Sequence, residues 1–423
     1  MAAGGTAAAE TAIAGHFIVP SEAQAENLGL AAMRMASRSF VRSSGEKRRR
    51  VRVYPHLGLA IGYADARGVA ALQADAQVDN VVSAPEPSLI RPVAAMAAKP
   101  TIAPSWGLKR LNVPALWNAG FTGEGVVVGH LDTGVDGSHP ALKGAIKSFA
   151  EFDISGERVP NAKPSDSGSH GTHTAGTIVG RSGTKGAFGV APKARLASAM
   201  VIEGGQVIDR ILGGMDWIVS EGVRVMSMSL GLRGYTPAFE VLMNALRTAN
   251  VLPVIAVGNE FANTSRSPGN YDNVLSIGAM GEDEKVADFS GSQRFNRTND
   301  PLVPDLVAPG VEVLSCVPGG GYEKMSGSSM ATPHIAGLAA LLLHAKPGAT
   351  TQELEMAILG SCSLVPTMQA ARANRGVPDA VKALNILTGA SSIKTVGAVP
   401  KKATKPKKKQ GKPLGAASKK KKR

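Results

Sequence analysis

What most restricts the fold of this chain is a series of near-continuous apolar runs separated by stretches of helical pattern. The first is Val126-Val127-Val128-Gly129-His130-Leu131, and similar runs recur at residues 194–200, 223–229, 251–257 and 274–277. Strands buried on both faces read this way, whereas a strand with one wet face alternates. Helical pattern fills the gaps, for example over residues 208–221 and 239–250. The alternation predicts an α/β domain, a parallel central sheet with helices on both faces. Functional side chains are then expected at the carboxyl ends of its strands.

Upstream, a different pattern runs from His16 to Ser83. Phe17-Ile18-Val19 reads as a strand, and Ser21, followed by Glu22, as a helix N-cap. Leu28, Leu30, Ala31 and Met35 give a loosely helical stretch, and Arg48-Arg49-Arg50 a solvated turn. Strands follow at 51–54 and 57–63, then a helix from Asp65 with Val69, Leu72 and Ala76 on one face, then a strand at 78–83. The order β-α-β-β-α-β is that of a small ferredoxin-like α+β unit. Residues 85–104 are rich in Pro and Ala, lack periodicity and read as a linker. The boundaries drawn are a disordered 1–15, a small domain 16–93, a linker 94–104, a large domain 105–390 and a basic tail 391–423.

The net charge of +14 suggests a nucleic-acid partner until it is located. Twelve Lys and one Arg, with no acid, fall in residues 391–423, so the rest of the chain carries about +1. The tail implies weak, salt-sensitive contact with anionic partners. It has no aromatic for base stacking, which argues against sequence-specific recognition. Cys316 and Cys362 are the only cysteines, no disulfide framework, and are expected as buried free thiols. No run of eighteen or more apolar residues predicts a membrane span. The Ala-rich start lacks a basic segment and a continuous apolar segment, so the expected location is intracellular or reached by unconventional export.

Three segments carry chemistry. They are Asp132-Thr133-Gly134 directly after an apolar run, His170-Gly171-Thr172-His173, and Gly327-Ser328-Ser329-Met330-Ala331. Each alone is ambiguous: Asp-Thr-Gly also marks aspartic proteases, His-Gly-Thr-His could be a metal pair, and a serine at a helix start could be only a cap. Together they supply what a serine nucleophile needs, an imidazole to take its proton and a buried carboxylate to fix that imidazole.

The chain order Asp, His, Ser is the subtilisin order, and residues 106–390 resemble a subtilase catalytic domain. Residues 16–84 resemble the inhibitory propeptide of that family. The resemblance implies a serine endopeptidase with Asp132 orienting the base, His170 as general base and acid, and Ser329 as nucleophile. It gives His173 no catalytic part and packs it inside its helix. Ala256-Val257-Gly258-Asn259 resembles the oxyanion-hole segment, with the Asn259 amide and the Ser329 backbone N–H as donors. Ser229, Leu230 and Gly231 resemble the edge that pairs with an extended substrate and, with Val257 and Gly258, would line the pocket before the scissile bond. Glu260 stands at its rim, in a loop over 260–267 that looks shortened.

The resemblance also implies a precursor whose segment near 86–91 lies along the cleft and whose chain cuts itself between 93 and 104. Protein or peptide substrates and its own propeptide are the implied partners, and a monomer the implied state. One departure concerns calcium. His139-Pro140-Ala141-Leu142 lacks the carboxylate many members supply there, Ile102 takes the N-terminal position, and residues 181–187 offer cations and glycines. That site is expected to be lost, leaving no cofactor. The rival class is an anionic-surface binding protein on a vestigial protease fold, resting on the tail alone.

Overall fold

A computed structural model of the chain describes residues 14–20, 52–64, 66–76, 78–84, 87–99, 103–181, 188–202, 207–297 and 299–389. The N-terminal residues 1–13, the helix expected near 21–35, the Arg48–Arg50 turn and the tail lie outside them.

Seven parallel strands form the large domain. Their order across the sheet is Leu306–Pro309, Leu275–Met280, Leu252–Ala256, Val225–Met228, Val127–Asp132, Arg195–Met200 and Ile146–Glu151. Every adjacent pair is parallel. From the strand Val127–Asp132 the chain first builds toward one edge and later toward the other. The carboxyl end of that strand therefore opens on the crevice where the strand order reverses, and Asp132 stands there. The five strands expected from the apolar runs are all present. The two edge strands were not legible: Lys147 and Ser148 interrupt one, and Pro309 ends the other, as suits edges that must not pair further.

Two-residue alternation divides the sheet's side chains between two cores. Val128, Leu196, Val225, Val254 and Ile277 pack with Ile178 and Val179 of the helix His170–Val179 and Ile335 and Leu338 of the helix Ser328–Ala345. Leu131, Ala199, Met226 and Ile255 pack with Leu212 and Met215 of the helix Val207–Ser220 and Leu242 and Leu246 of the helix Glu240–Thr248. Residues 328–343 are buried without exception, so the helix that begins at Ser328 runs through the interior. A rigid, close-packed helix of this kind fixes whatever stands at its first turn.

The N-terminal sheet is antiparallel in the order Arg52–Tyr54, Leu59–Ala64, Ala14–Pro20, Val78–Ser83, with the helix Ala66–Gln73 packed on it. Tyr54, Leu57, Leu59 and Ile61 join the same apolar cluster as Leu212 and Met215. Polar contacts frame this seam. The Tyr54 hydroxyl donates to the Asp209 carbonyl at 3.2 Å, His56 N and Nδ1 lie 2.8 and 2.9 Å from Asp216, and Arg52 meets Glu157 at 2.8 Å.

The stretch 85–104 contains two strands, one within the 86–91 segment expected along the cleft and one within the linker drawn at 94–104. Ser88–Leu89 pairs antiparallel with Leu230–Arg233, and Ala94–Ala97 pairs antiparallel with Gly321–Ser326. Main-chain hydrogen bonds to existing edges hold both, and such pairing leaves no apolar pattern to read. Residues 94–97 are exposed throughout.

Candidate active site

Asp132 is the last residue of the central strand and is 2% exposed. Its Oδ1 accepts from His170 Nδ1 and from the Thr133 backbone N–H, each at 2.7 Å. Its Oδ2 accepts from the Thr174 hydroxyl at 3.0 Å. Burial works to raise this carboxyl, but the neighbouring His170 and these hydrogen bonds outweigh it and hold Asp132 below the usual carboxylate range. It is the anion the site requires.

His170 opens the helix His170–Val179 and is buried. With Nδ1–H given to the carboxylate, Nε2 keeps its lone pair, and this buried nitrogen has no hydrogen-bond partner. Its helix lacks a cap from its own N-cap residue, Ser169. Asp166 serves in its place. Oδ2 accepts from the Thr172 N–H at 2.7 Å and hydroxyl at 2.6 Å, while Oδ1 accepts from the Thr133 hydroxyl at 2.7 Å. That same hydroxyl accepts from the Gly171 N–H at 2.9 Å. One carboxylate thus ties the helix start to the residue after Asp132. His173 faces inward, with Nε2 donating to the Val313 carbonyl at 3.0 Å, and burial pushes its pKa down to about 3.

Ser329 stands in the first turn of the helix Ser328–Ala345, which packs against the helix of His170. Pro333 lacks the N–H that would bond the Ser329 carbonyl, and the Ser229 hydroxyl donates to it instead at 3.4 Å. The Ser329 hydroxyl donates not to His170 but to the Ile90 carbonyl, at 2.7 Å. Asn259 follows the strand Leu252–Ala256. Its Oδ1 accepts from the Ser328 N–H and hydroxyl, both at 2.8 Å, which aims Nδ2 at the Arg91 carbonyl, 3.0 Å away.

Residues 88–93 therefore run through the cleft. Leu89 faces Leu230 and Ser88 faces Gly231 in the strand register, and the Ile90 N–H donates to the Ser229 carbonyl at 3.1 Å. Ile90 is buried at 1% exposure. On the far side the Val93 N–H donates to the Ser326 carbonyl at 2.8 Å. The carbonyls at Ser329 and at the Asn259 amide are those of Ile90 and Arg91, upstream of the 93–104 stretch expected to hold the cut. Residues 94–97 pair with the strand Gly321–Ser326.

Ser229, Leu230 and Gly231 meet the segment in the cleft. Val257 and Gly258 back onto a residue that sequence reasoning missed, Arg266. The Val257 carbonyl accepts from the Arg266 N–H at 2.9 Å, and a Cβ on Gly258 would lie 3.1 Å from Arg266 Cγ. The guanidinium, 5% exposed as a residue, donates to the Gly231 carbonyl at 3.2 Å and the Ser88 hydroxyl at 3.0 Å, and pairs with Glu260. Glu260 also accepts from the Asn259 N–H at 3.1 Å. It is thus not a free rim charge: burial opposes its ionisation, and the Arg266 pairing outweighs that and keeps it anionic. The signal for Arg266 was a single cation between two serines just before Pro268.

At the calcium position, His139 spends both ring nitrogens on the protein. Nδ1 accepts from the Ala141 N–H at 3.0 Å and Nε2 donates to the Gly321 carbonyl at 3.0 Å. Ile102 and residues 182–187 lie outside the described residues. Ala141, the described residue at the position of the expected carboxylate, offers no side-chain oxygen. Cys316 and Cys362 are free thiols, Cys316 buried and Cys362 partly so. No helix among the described residues is long and apolar enough to cross a membrane.

Comparison with known proteins agrees with this geometry. A model of the subtilase family matches residues 123–386. Subtilisin BL of Lederbergia lenta is 38% identical over 244 residues, 57% of this chain and 85% of that protein. The M-protease of Shouchella clausii (strain KSM-K16) is 38% identical over 57% of this chain and 60% of its own length. Subtilisin E of Bacillus subtilis (strain 168) is 35% identical over 59% and 63%.

Proposed function

The chain belongs to the subtilase family of serine endopeptidases, and from that premise we propose that it hydrolyses peptide bonds with Asp132, His170 and Ser329 and is made as a self-inhibited, self-processed precursor. The observation that carries this reading is the 2.7 Å contact of His170 Nδ1 with the buried Asp132, which leaves Nε2 as a free base at the crevice.

In this mechanism Nε2 takes the Ser329 proton as Oγ attacks the substrate carbonyl. Asp132 steadies the resulting imidazolium without accepting its proton. The Asn259 Nδ2–H and the Ser329 N–H hold the oxyanion. The imidazolium then protonates the leaving amine, giving an acyl-serine. Water, activated by the same nitrogen, releases the acid and restores the hydroxyl. Protein and peptide substrates enter as an added strand beside Ser229–Gly231, as Ser88–Ile90 do now.

The precursor state is supported by what fills the cleft. Ser329 faces the Ile90 carbonyl while Asn259 holds the next one, that of Arg91, so nucleophile and oxyanion donor act on different carbonyls. Attack needs both on one, and the segment is held one residue out of step with catalysis. Swinging the Ile90 carbonyl onto Asn259 cures this and makes Ile90–Arg91 the first bond cut. Bringing the Arg91 carbonyl to Ser329 would present a prolyl bond at Pro92 instead. The domain that carries the segment then leaves its seam at Tyr54, Leu57 and Ile61. At the His139 loop we propose no calcium.

Purified full-length chain and its Ser329→Ala variant test this by intact mass and N-terminal sequencing. The wild type is expected to acquire a new terminus at Arg91, while the variant stays whole. Processing of the variant at the wild-type rate would end the self-cleavage reading.

A further inference from the structure

The polar chemistry of Asp132 does not stop at His170. His130 lies two residues earlier on the same strand, so both side chains leave the same face of the sheet. It is 1% exposed, and both ring nitrogens are engaged. Nε2 is 2.9 Å from the Thr174 hydroxyl, and Nδ1 is 2.9 Å from the hydroxyl of Ser198, its register partner on the neighbouring strand. Thr174 stands one turn after His170 on the catalytic helix and reaches Asp132 Oδ2 at 3.0 Å.

Counting protons gives this cluster a direction. An ionised carboxylate only accepts, so the contact with Oδ2 uses the single hydrogen of Thr174. The Gly171 and His170 carbonyls, at 3.1 and 3.2 Å, are longer and uncharged competitors for it. Having spent its hydrogen, Thr174 Oγ1 must accept from His130 Nε2–H. The ring's Nδ1 then holds a lone pair and takes the hydrogen of Ser198. Burial keeps this histidine below its usual pKa, against the pull of Asp132 and Asp166 and with the help of His170, so a neutral ring with one donor and one acceptor fits. Three apolar side chains would fill the same space without desolvating three polar groups. The ones present line up on the catalytic carboxylate.

We propose that His130 is a positioning residue of the active site: through Thr174, and braced by Ser198, it holds Asp132 Oδ2 so that Oδ1 stays on His170. The proposal rests on the protease reading above. The chain also draws negative charge from Asp132, which restrains the carboxylate from over-stabilising the His170 imidazolium.

The test compares His130→Leu, Thr174→Val and His130→Gln in the full chain after self-processing. His130→Gln keeps a donor nitrogen near the place of Nε2, and Thr174→Val changes little volume should His130→Leu fail to fold. Competent sites are counted with a fluorophosphonate, and kcat, KM and the pH profile of kcat/KM are measured per counted site on a chromogenic peptide. The two apolar variants are expected to lose about tenfold in kcat with KM within about twofold. The acid limb of their kcat/KM profile should move upward, because the Asp132 carboxylate has lost a hydrogen-bond donor that favours its charge. His130→Gln should recover most of kcat. Wild-type kcat and pH profile per counted site in both apolar variants, whatever their thermal stability, would overturn the proposal. A wild type that neither takes the label nor cleaves peptide would instead bring down the reading beneath it.

Discussion

His173 and His334 are fully buried, and burial pushes their rings down to about 3 and about 4. In the unfolded chain each titrates near 6.5. Between those values the unfolded state binds protons that the folded state refuses, so stability rises with pH there and is lost on acidification. Each ring contributes a slope of about 1 kcal/mol per pH unit below pH ~6.5. Urea midpoints of the Ser329→Ala chain should therefore fall steadily from pH 7 to 4.5, and a flat series would show that these rings are not held neutral. At this same scale, the segments around Asp132, His170, Ser329 and Asn259 stood out in the sequence because their chemistry dictates their immediate neighbours. Asp166, His130 and Arg266 were not. They act on the site through tertiary partners, and nothing beside them in the chain marks that. His130 sat within a run read as apolar, although its two-residue offset from Asp132 put both on one face.

Among the elements, the join between the Asp132 strand and the His170 helix leaves no room for a side chain. A Cβ on Gly171 would lie 2.1 Å from the Gly134 carbonyl oxygen, so only glycine lets the helix start approach the loop after Asp132. Gly171→Ala should force the two apart, costing about 1–3 kcal/mol in stability. Displacement of the imidazole by even about 1 Å should lower kcat/KM by roughly 100-fold. Near-normal kinetics in a folded Gly171→Ala enzyme would mean that the helix start yields without moving His170. The buried strands and their helices followed from the apolar runs, because burial on both faces writes itself into composition. The strand at 94–97 did not, and the one at 88–89 was expected only from the resemblance, because the pairing of both uses only main chain.

Taken whole, the molecule is a large α/β body whose cleft holds residues 88–93 and whose flank packs the N-terminal sheet at Tyr54, Leu57 and Ile61. The α/β architecture and the small antiparallel sheet could be read from sequence, and the segments proposed as catalytic stood out there, since each leaves a local pattern. The register of the segment in the cleft could not, because it depends on which carbonyl meets Ser329 and which meets Asn259. The central claim is that Ser329 is a nucleophile activated by His170 and masked by residues 88–93. Its most direct test is fluorophosphonate labelling of the chain before and after processing, with the site mapped by peptide mass. Ser329 should take the label only once the cleft segment has been cut and released. Labelling at another residue, or none on processed chain that still cleaves peptides, would contradict it.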